Sequence, residues 1–331
     1  MENRVGSLET LLLSKTDIES LLSIEEILLT VEDVYKSHGL GNVVSPPKTT
    51  LNLERAGANG FMINAAAYAA DFNAAGIKIA GAFPFNPTRE GLPQTMAIII
   101  LMNPKTGFPL AVMDGQFITV MRTGAAAAVA AKYLSPRVQV LSILGSGAVG
   151  KAAVRSFNKA FLLREIRIYD ISENIARNTA SMFQEQYGIS LTVSRNAAIC
   201  IDEADVVVTA TDADNPLFPI ENLKRDALVI SLGSFRESPP KLVKNASSRI
   251  VDHLEQNKQR GEFSIYFQQG ILNDADIYAE IGDIIGGKIS PPPEGGWCVT
   301  SLIGVSSLDI VLAKKAYDAA KGALIRSSFR F

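Results

Sequence analysis

The sequence predicts an α/β protein: a Rossmann, doubly wound parallel sheet preceded by an α+β region. Three observations predict it. From Val138 onward, short apolar runs alternate with helix-period segments, the pattern of parallel strands joined by crossover helices. Before residue 120 the strand-like runs are short and closely spaced, which favours antiparallel pairing. Between these regions stands Leu141-Ser-Ile-Leu-Gly145-Ser-Gly147-Ala-Val-Gly150, which reads as strand, glycine turn and helix.

The elements follow in order. Thr16-Asp-Ile-Glu19 and Ser23-Ile-Glu-Glu26 have capping-box form. After Ser23, apolar residues at Ile24, Ile27, Leu28, Val31, Val34 and Tyr35 mark one helix face, stopped by Gly39 and Gly41. Strands are expected at 76–81, 95–102 and 109–113, with Asn103-Pro-Lys-Thr-Gly107 turning between the last two. An Ala-rich helix covers 119–134 and carries Arg122 near its start. Further strands are expected at 138–144, 165–169, 190–193, 204–210, 227–232 and 249–252. Residues 286–296 form a glycine- and proline-rich loop, either a mobile flap or an inert exposed loop. A helix over 306–324, apolar at Leu308, Val311, Leu312 and Ala316, ends the chain.

Composition narrows the functional classes. At 331 residues the chain has room for two domains with separate cores. The net charge of −2, with acids and bases interspersed, gives no basic block for nucleic acid. The apolar run Ala97-Ile-Ile-Ile-Leu-Met102 is too short to span a membrane, and Glu2 and Glu9 flank a leucine run unlike a signal peptide. Two cysteines, Cys200 and Cys298, read as reduced thiols in a cytoplasmic protein. With only two histidines, His38 and His253, neither a metal centre nor a Ser-His-Asp triad is expected. Proton transfer then falls to a Lys, Asp or Glu.

The glycine turn carries the chemistry. Gly145 permits the tight turn, Gly147 lets the backbone approach a diphosphate, and Gly150 lets helix and strand pack closely. Ser146, Ala148 and Val149 complete the turn, whose helix N-terminus presents unpaired N–H groups to the phosphates. The strand Ile166-Arg-Ile-Tyr-Asp170 ends in an acid twenty residues beyond Gly150, where ribose hydroxyls are expected. Asp170 would repel a 2′-phosphate, so NAD(H) is expected in preference to NADP(H). Thr209-Ala210-Thr211 ends the fourth strand of this sheet at its ligand-binding edge, and Leu232 and Gly233 end the fifth.

Val44-Ser-Pro-Pro-Lys48, Gly76-Ile-Lys78, Gly107-Phe-Pro-Leu-Ala-Val-Met-Asp114, Met121-Arg-Thr-Gly-Ala125, the glycine turn and Tyr278-Ala-Glu-Ile-Gly282 together resemble the ornithine cyclodeaminase/μ-crystallin family. Within it the similarity is greatest to the archaeal-type alanine dehydrogenase branch. The resemblance covers almost the whole chain. It implies a discontinuous α+β domain for substrate binding and dimerisation, from 1–120 and 306–331, and a Rossmann dinucleotide-binding domain at 121–305. It also implies a homodimer and a small amino, keto or imino acid as substrate.

Read alone, Lys78 is a strand residue pointing away from Ile77 and Ile79, toward solvent. The resemblance instead places it at the reacting carbon–nitrogen bond. There a partly buried lysine with a lowered pKa would protonate an imine nitrogen and recover the proton in reverse. Arg122, near a helix start, opposes the helix dipole. Either a carboxylate ligand or a salt bridge to Asp114 would account for it. Lys48 supplies a second charge for a substrate carboxylate, and Thr123 is assigned to the cofactor. Two departures from family patterns make the pocket more apolar. Phe235, in Ser231-Leu-Gly-Ser-Phe235, stands where cyclodeaminases carry an Asp, which disfavours ornithine cyclodeamination; Phe61 stands where archaeal alanine dehydrogenase has an Arg. The expectation is an NAD(H)-dependent oxidoreductase on an amino or imino acid. The alternative is a non-catalytic, crystallin-like binder of a dinucleotide and a small ligand.

Overall fold

The structure, a computed structural model, describes residues 9–53, 60–213, 215–233, 236–323 and 327–330. The chain forms two compact units. One draws on Met1–Thr30, Gly41–Thr119 and Val305–Phe331, the other on Val31–Leu40 and Val120–Gly304.

The first unit is a mixed sheet. Its strands are β1 (Glu9–Leu13), β2 (Val43–Val44), β3 (Thr49–Asn52), β4 (Phe61–Ala69), β5 (Ala74–Ala82), β6 (Thr95–Met102), β7 (Pro109–Asp114) and β16 (Ser328–Arg330). Their order is β16-β1-β7-β6-β5-β4-β2, with β3 also on β4. Only β1 and β7 run parallel. Alternation gives the sheet two unlike faces. Ala65, Ala67, Ala80, Ile99, Leu101 and Met113 are buried, and the helix Ser306–Gly322 packs against β4, β5 and β6. On the opposite face Leu12, Tyr68, Met96 and Ile98 are exposed, an unusually apolar surface for a sheet.

The first helix, Lys15–Leu21, is capped by Ser14 and Asp17. The expected box at Thr16 is thus displaced two residues toward the N-terminus, because Ser14 accepts the N–H of Asp17. The box at Ser23 forms as the spacing predicts: Ser23 N–H donates to Glu26 at 3.1 Å, and Glu26 N–H donates to Ser23 Oγ at 3.2 Å. The helix it opens, Ile24–Gly39, belongs to the second unit from Val31 onward.

The second unit holds β8 (Val140–Leu144), β9 (Glu165–Tyr169), β10 (Thr192–Val193), β11 (Val206–Thr209), β12 (Leu228–Leu232), β13 (Ser248–Val251), β14 (Ala279–Glu280) and β15 (Cys298–Leu302). All are parallel, in the order β10-β9-β8-β11-β12-β15-β13-β14. Every residue of β8, β11, β12 and β15 is buried, as a parallel sheet covered on both faces requires. The chain leaves β8 toward β9 and later returns to β11 on its other side. This reversal opens the crevice where α/β sheets take their ligands. Among the described residues no helix is long and apolar enough to cross a membrane.

Candidate active site

In the first unit, Lys78 sits mid-strand in β5, opposite Ala65 on β4 and Ile99 on β6. Alternation turns it away from Ile77 and Ile79, as expected, but onto the helix-covered face. It is therefore buried, at 4% exposure, and not a solvent-facing lysine. Its Nζ lies 2.8 Å from Asp309 Oδ2, and its ammonium also donates to Thr119 Oγ1 at 3.2 Å. Thr119 in turn donates to Asp309 Oδ1 at 3.3 Å. The lysine thus has a completely buried counter-charge. Burial disfavours an ammonium and an adjacent carboxylate favours it, so the pair opposes the burial effect that the sequence reading relied on. Phe61 is half-buried at the start of β4, on the Lys78 face by its pairing with Ala82. Lys48, also half-buried, precedes β3 by one residue, where a continued register would set it opposite Ala65.

In the second unit, the carboxyl ends of adjacent strands gather the expected dinucleotide residues. Gly145 follows β8 with φ +102, where a Cβ would stand 2.4 Å from Ala210 O. A Cβ on Gly150 would stand 1.9 Å from Gly145 O, so the helix Ala148–Ala160 packs directly on the turn. A Cβ on Gly147 would meet nothing within 4 Å. Gly147 and Ala148 are exposed, Val149 is half-buried and Ser146 is buried. The turn therefore opens at Gly147 onto free space, with the N-terminus of a four-turn helix behind it. That arrangement fits a diphosphate.

Asp170 Oδ2 accepts Ser146 N–H at 2.8 Å and its Oδ1 accepts Ser172 N–H at 3.0 Å. A carboxylate has about four acceptor sites, so capacity for ribose hydroxyls remains. Arg167, the one base near it in sequence, is engaged with Glu165 at 2.7 Å. Leu232 ends β12, and Gly233 follows with φ +135. Phe235 lies outside the described residues. Thr123 is half-buried on the helix Gln116–Leu134.

Thr209 and Thr211 are placed at the expected edge, but their hydroxyls are turned to the protein. Thr209 Oγ1 donates to Glu237 Oε2 at 2.7 Å, and Thr211 donates through both N and Oγ1 to Glu237 Oε1, at 2.7 and 2.6 Å. Glu262 lies beside this group and accepts from Ser231 Oγ at 2.9 Å. Burial pushes both Glu237 and Glu262 up to about 7.

Arg122 needs a correction. The helix that carries it begins at Gln116, not near residue 119, because the Asp114 carboxylate accepts the N–H groups of Gln116 and Phe117 at 3.0 and 3.3 Å. Arg122 is thus beyond the first turn, and the helix-dipole argument does not apply to it. It is buried at 5% exposure. Its guanidinium rests on the backbone of Gly304, where a Cβ would stand 2.1 Å from Nη1. Asp252 and Arg260 belong to the same buried charged cluster, in which burial depresses the Arg260 guanidinium, Asp252 raises it and Arg122 lowers it further. Asp252 itself accepts from Asn257 Nδ2 at 3.1 Å and from Gly304 N–H.

Sequence reading missed Asp309, Glu237, Glu262, Asp252 and Gly304. One signal was available for Asp309: it is a lone acid inside Leu308-Asp-Ile-Val-Leu312, an apolar stretch where an unpaired charge would be costly. Among the described residues no group of three or more His, Cys, Asp or Glu is arranged to hold a metal. Burial raises the Cys200 and Cys298 thiols to about 11 and about 12, so neither is a poised nucleophile.

Residues 8–323 match the family model described as Ornithine cyclodeaminase/mu-crystallin family. The alanine dehydrogenase of Archaeoglobus fulgidus is 32% identical over 332 residues, which span 98% of this chain and 99% of that protein. Among solved structures, an archaeal alanine dehydrogenase dimer with bound NAD matches with a TM-score of 0.91 at 32% identity, over 98% of this chain and 99% of that one. The Delta(1)-pyrroline-2-carboxylate reductase of Thermococcus litoralis, solved with NADH and L-proline, matches with a TM-score of 0.90 at 28% identity, over 97% and 100%.

Proposed function

This chain belongs to the ornithine cyclodeaminase/mu-crystallin family, and we propose that it is an NAD(H)-dependent oxidoreductase acting on the C–N bond of an amino or imino acid. The observation that carries the reading is the buried Lys78–Asp309 pair at 2.8 Å, set on an otherwise apolar sheet face. Burying a charged pair costs desolvation free energy, and such buried ionisable groups cluster at functional sites.

When bound, the nicotinamide supplies a hydride to the α-carbon of an imine or accepts it from an amine. The chain's own residues do the rest. The turn Gly145–Gly150 holds the diphosphate on backbone N–H groups, and Gly147 is the point of closest approach. Asp170 takes the ribose hydroxyls and repels a 2′-phosphate, which favours NAD(H) over NADP(H). Ala210, Leu232 and Gly233 line the neighbouring strand ends, and Thr123 completes the cofactor contacts. Arg122 and Lys48 hold the substrate carboxylate, Arg122 by paired hydrogen bonds and Lys48 by charge alone. Phe61 gives the substrate pocket an apolar wall.

Lys78 Nζ donates a proton to the imine nitrogen as the α-carbon gains hydride, and accepts it in the opposite direction. A protonated imine is the better hydride acceptor. Asp309 keeps a counter-charge beside Nζ in both directions, and Thr119 fixes the orientation of the two groups. We propose further that the chain is a homodimer, joined through the apolar outer face of the first sheet.

The test is a screen of α-keto acids with ammonia or methylamine, together with preformed cyclic imino acids, followed by loss of NADH absorbance. Consumption of NADH with any of them supports the reading and separates a dehydrogenase from a reductase of preformed imines. NADH binding without turnover on every compound would favour the crystallin-like binder.

A further inference from the structure

Resting on the reading of the glycine turn as the dinucleotide site, we propose that Glu237 and Glu262 are positioning residues that hold Thr211 against that turn and so set NAD(H) affinity. Both acids are buried, at 1% and 0% exposure, and neither takes part in the proton transfer assigned to Lys78.

The contacts form a chain across three adjacent strands. The Glu262 carboxylate accepts from Ser231 Oγ on β12 at 2.9 Å, and from the backbone N–H groups of Glu237 at 3.1 Å and Ser238 at 3.2 Å. These fix the backbone of Glu237. The Glu237 carboxylate then gathers three donors: Thr209 Oγ1 at the end of β11, and both N and Oγ1 of Thr211 beyond it. Thr211 in turn reaches the end of β8. A Cβ placed on Gly145 would lie 2.9 Å from Thr211 Cγ2, so the threonine methyl packs on the side of the turn's first glycine where a side chain would stand. Glu262 therefore acts on Glu237, Glu237 on Thr211, and Thr211 on Gly145.

The chemistry explains why these positions are acids. Three converging donors need an acceptor with several lone pairs and no proton of its own, which a carboxylate supplies. Removing it leaves three buried donors without their acceptor and frees Thr211 to move away from the turn. The turn itself has no side chain at Gly145 or Gly147 to hold it, so its shape depends on what packs behind it.

The experiment titrates NADH by fluorescence into wild type, Glu237→Ala and Glu237→Gln, with thermal melts and steady-state kinetics on the same preparations. Glu237→Ala should weaken NADH binding about tenfold or more. The KM for the amino or imino substrate and the kcat at saturating NADH should stay within about twofold of wild type. Glu237→Gln should recover most of the affinity: its carbonyl accepts from Thr211, and the Thr209 hydroxyl rotates to accept from its amide. A purely structural role would instead lower all parameters with the melting temperature. If Glu237→Ala does not fold, Thr211→Ala carries the test, because it removes the methyl that meets Gly145; it should also weaken NADH binding. A folded Glu237→Ala or Thr211→Ala with wild-type NADH affinity overturns the inference. So does a Glu237→Gln as weak as Glu237→Ala at equal stability. A wild-type protein that binds no NADH overturns the proposed function, and this inference with it.

Discussion

Gly304→Ala is a one-methyl change whose effect follows from geometry. The backbone at Gly304 has φ +83, and a Cβ there would lie 2.1 Å from Arg122 Nη1 and 2.8 Å from its Cζ. Ordinary van der Waals contact begins near 3.4 Å, so the guanidinium must retreat by more than an ångström. Arg122 is the end of a flexible side chain, and it moves more readily than the backbone around Asp252, which Gly304 N–H also engages. The methyl therefore displaces Arg122 more than it disrupts the fold. Strain in the left-handed region adds about 1–2 kcal/mol, a loss of a few degrees in melting temperature for a chain of this size. Misplacing a substrate-orienting group by about 1 Å costs on the order of 100-fold in rate. We expect Gly304→Ala to lower kcat/KM by about that factor, through both kcat and KM, with NADH affinity within about twofold of wild type. Michaelis kinetics on the best substrate from the screen, with an NADH titration and a melt, measure all three. A folded Gly304→Ala with wild-type kcat/KM would refute the assignment of Arg122 to the substrate carboxylate.

Other outcomes follow from the same structure. Wild type should bind NADH more tightly than NADPH in parallel titrations, and Asp170→Ser should narrow the gap; equal binding by wild type removes the argument from Asp170. Glu237 and Glu262 are raised from the usual carboxylate range to about 7 by burial. The folded chain thus holds more protons than the unfolded chain between about pH 4.5 and 7. Their contribution to stability is fully present below pH 4.5 and is lost as pH rises through 7. Melts from about pH 4.5 to 8 should show a decline up to about pH 7, and Glu262→Gln should flatten that slope. Ile98→Arg, on the exposed apolar face of β6, should convert a dimer into a monomer in light scattering. A dimer that survives it would place the contact elsewhere.

Much of the second unit was legible because buried parallel strands and a glycine turn leave local marks. β9 coincides with its expected run, and β8, β11 and β12 lie within theirs, trimmed by one or two residues at the ends. β15 was not foreseen: Cys298-Val-Thr-Ser-Leu302 follows a long proline-rich loop and lacks an apolar run. β4 was missed for another reason. Phe61-Met-Ile-Asn-Ala-Ala-Ala-Tyr-Ala69 is alanine-rich, and alanine has poor strand propensity. It becomes a strand because Lys78 and its neighbours on β5 pair with it, and because small side chains let the helix Ser306–Gly322 come close. The site divides the same way. Lys78, Asp170 and the glycine turn carry motif-level signals. Asp309 is 231 positions from Lys78 and Glu262 is 25 from Glu237; only folding brings such partners together, and no local pattern announces them.

The central claim is that Lys78 moves the proton at the reacting nitrogen. Its most direct test is Lys78→Ala, assayed with NADH and the best keto or imino acid found, alongside an NADH titration. Turnover should fall about 10²–10⁴-fold with NADH affinity nearly intact, because Lys78 is assigned to the substrate's reacting end and the cofactor to Gly145–Gly150, Asp170 and Thr123. A folded Lys78→Ala protein that retains wild-type turnover would contradict it.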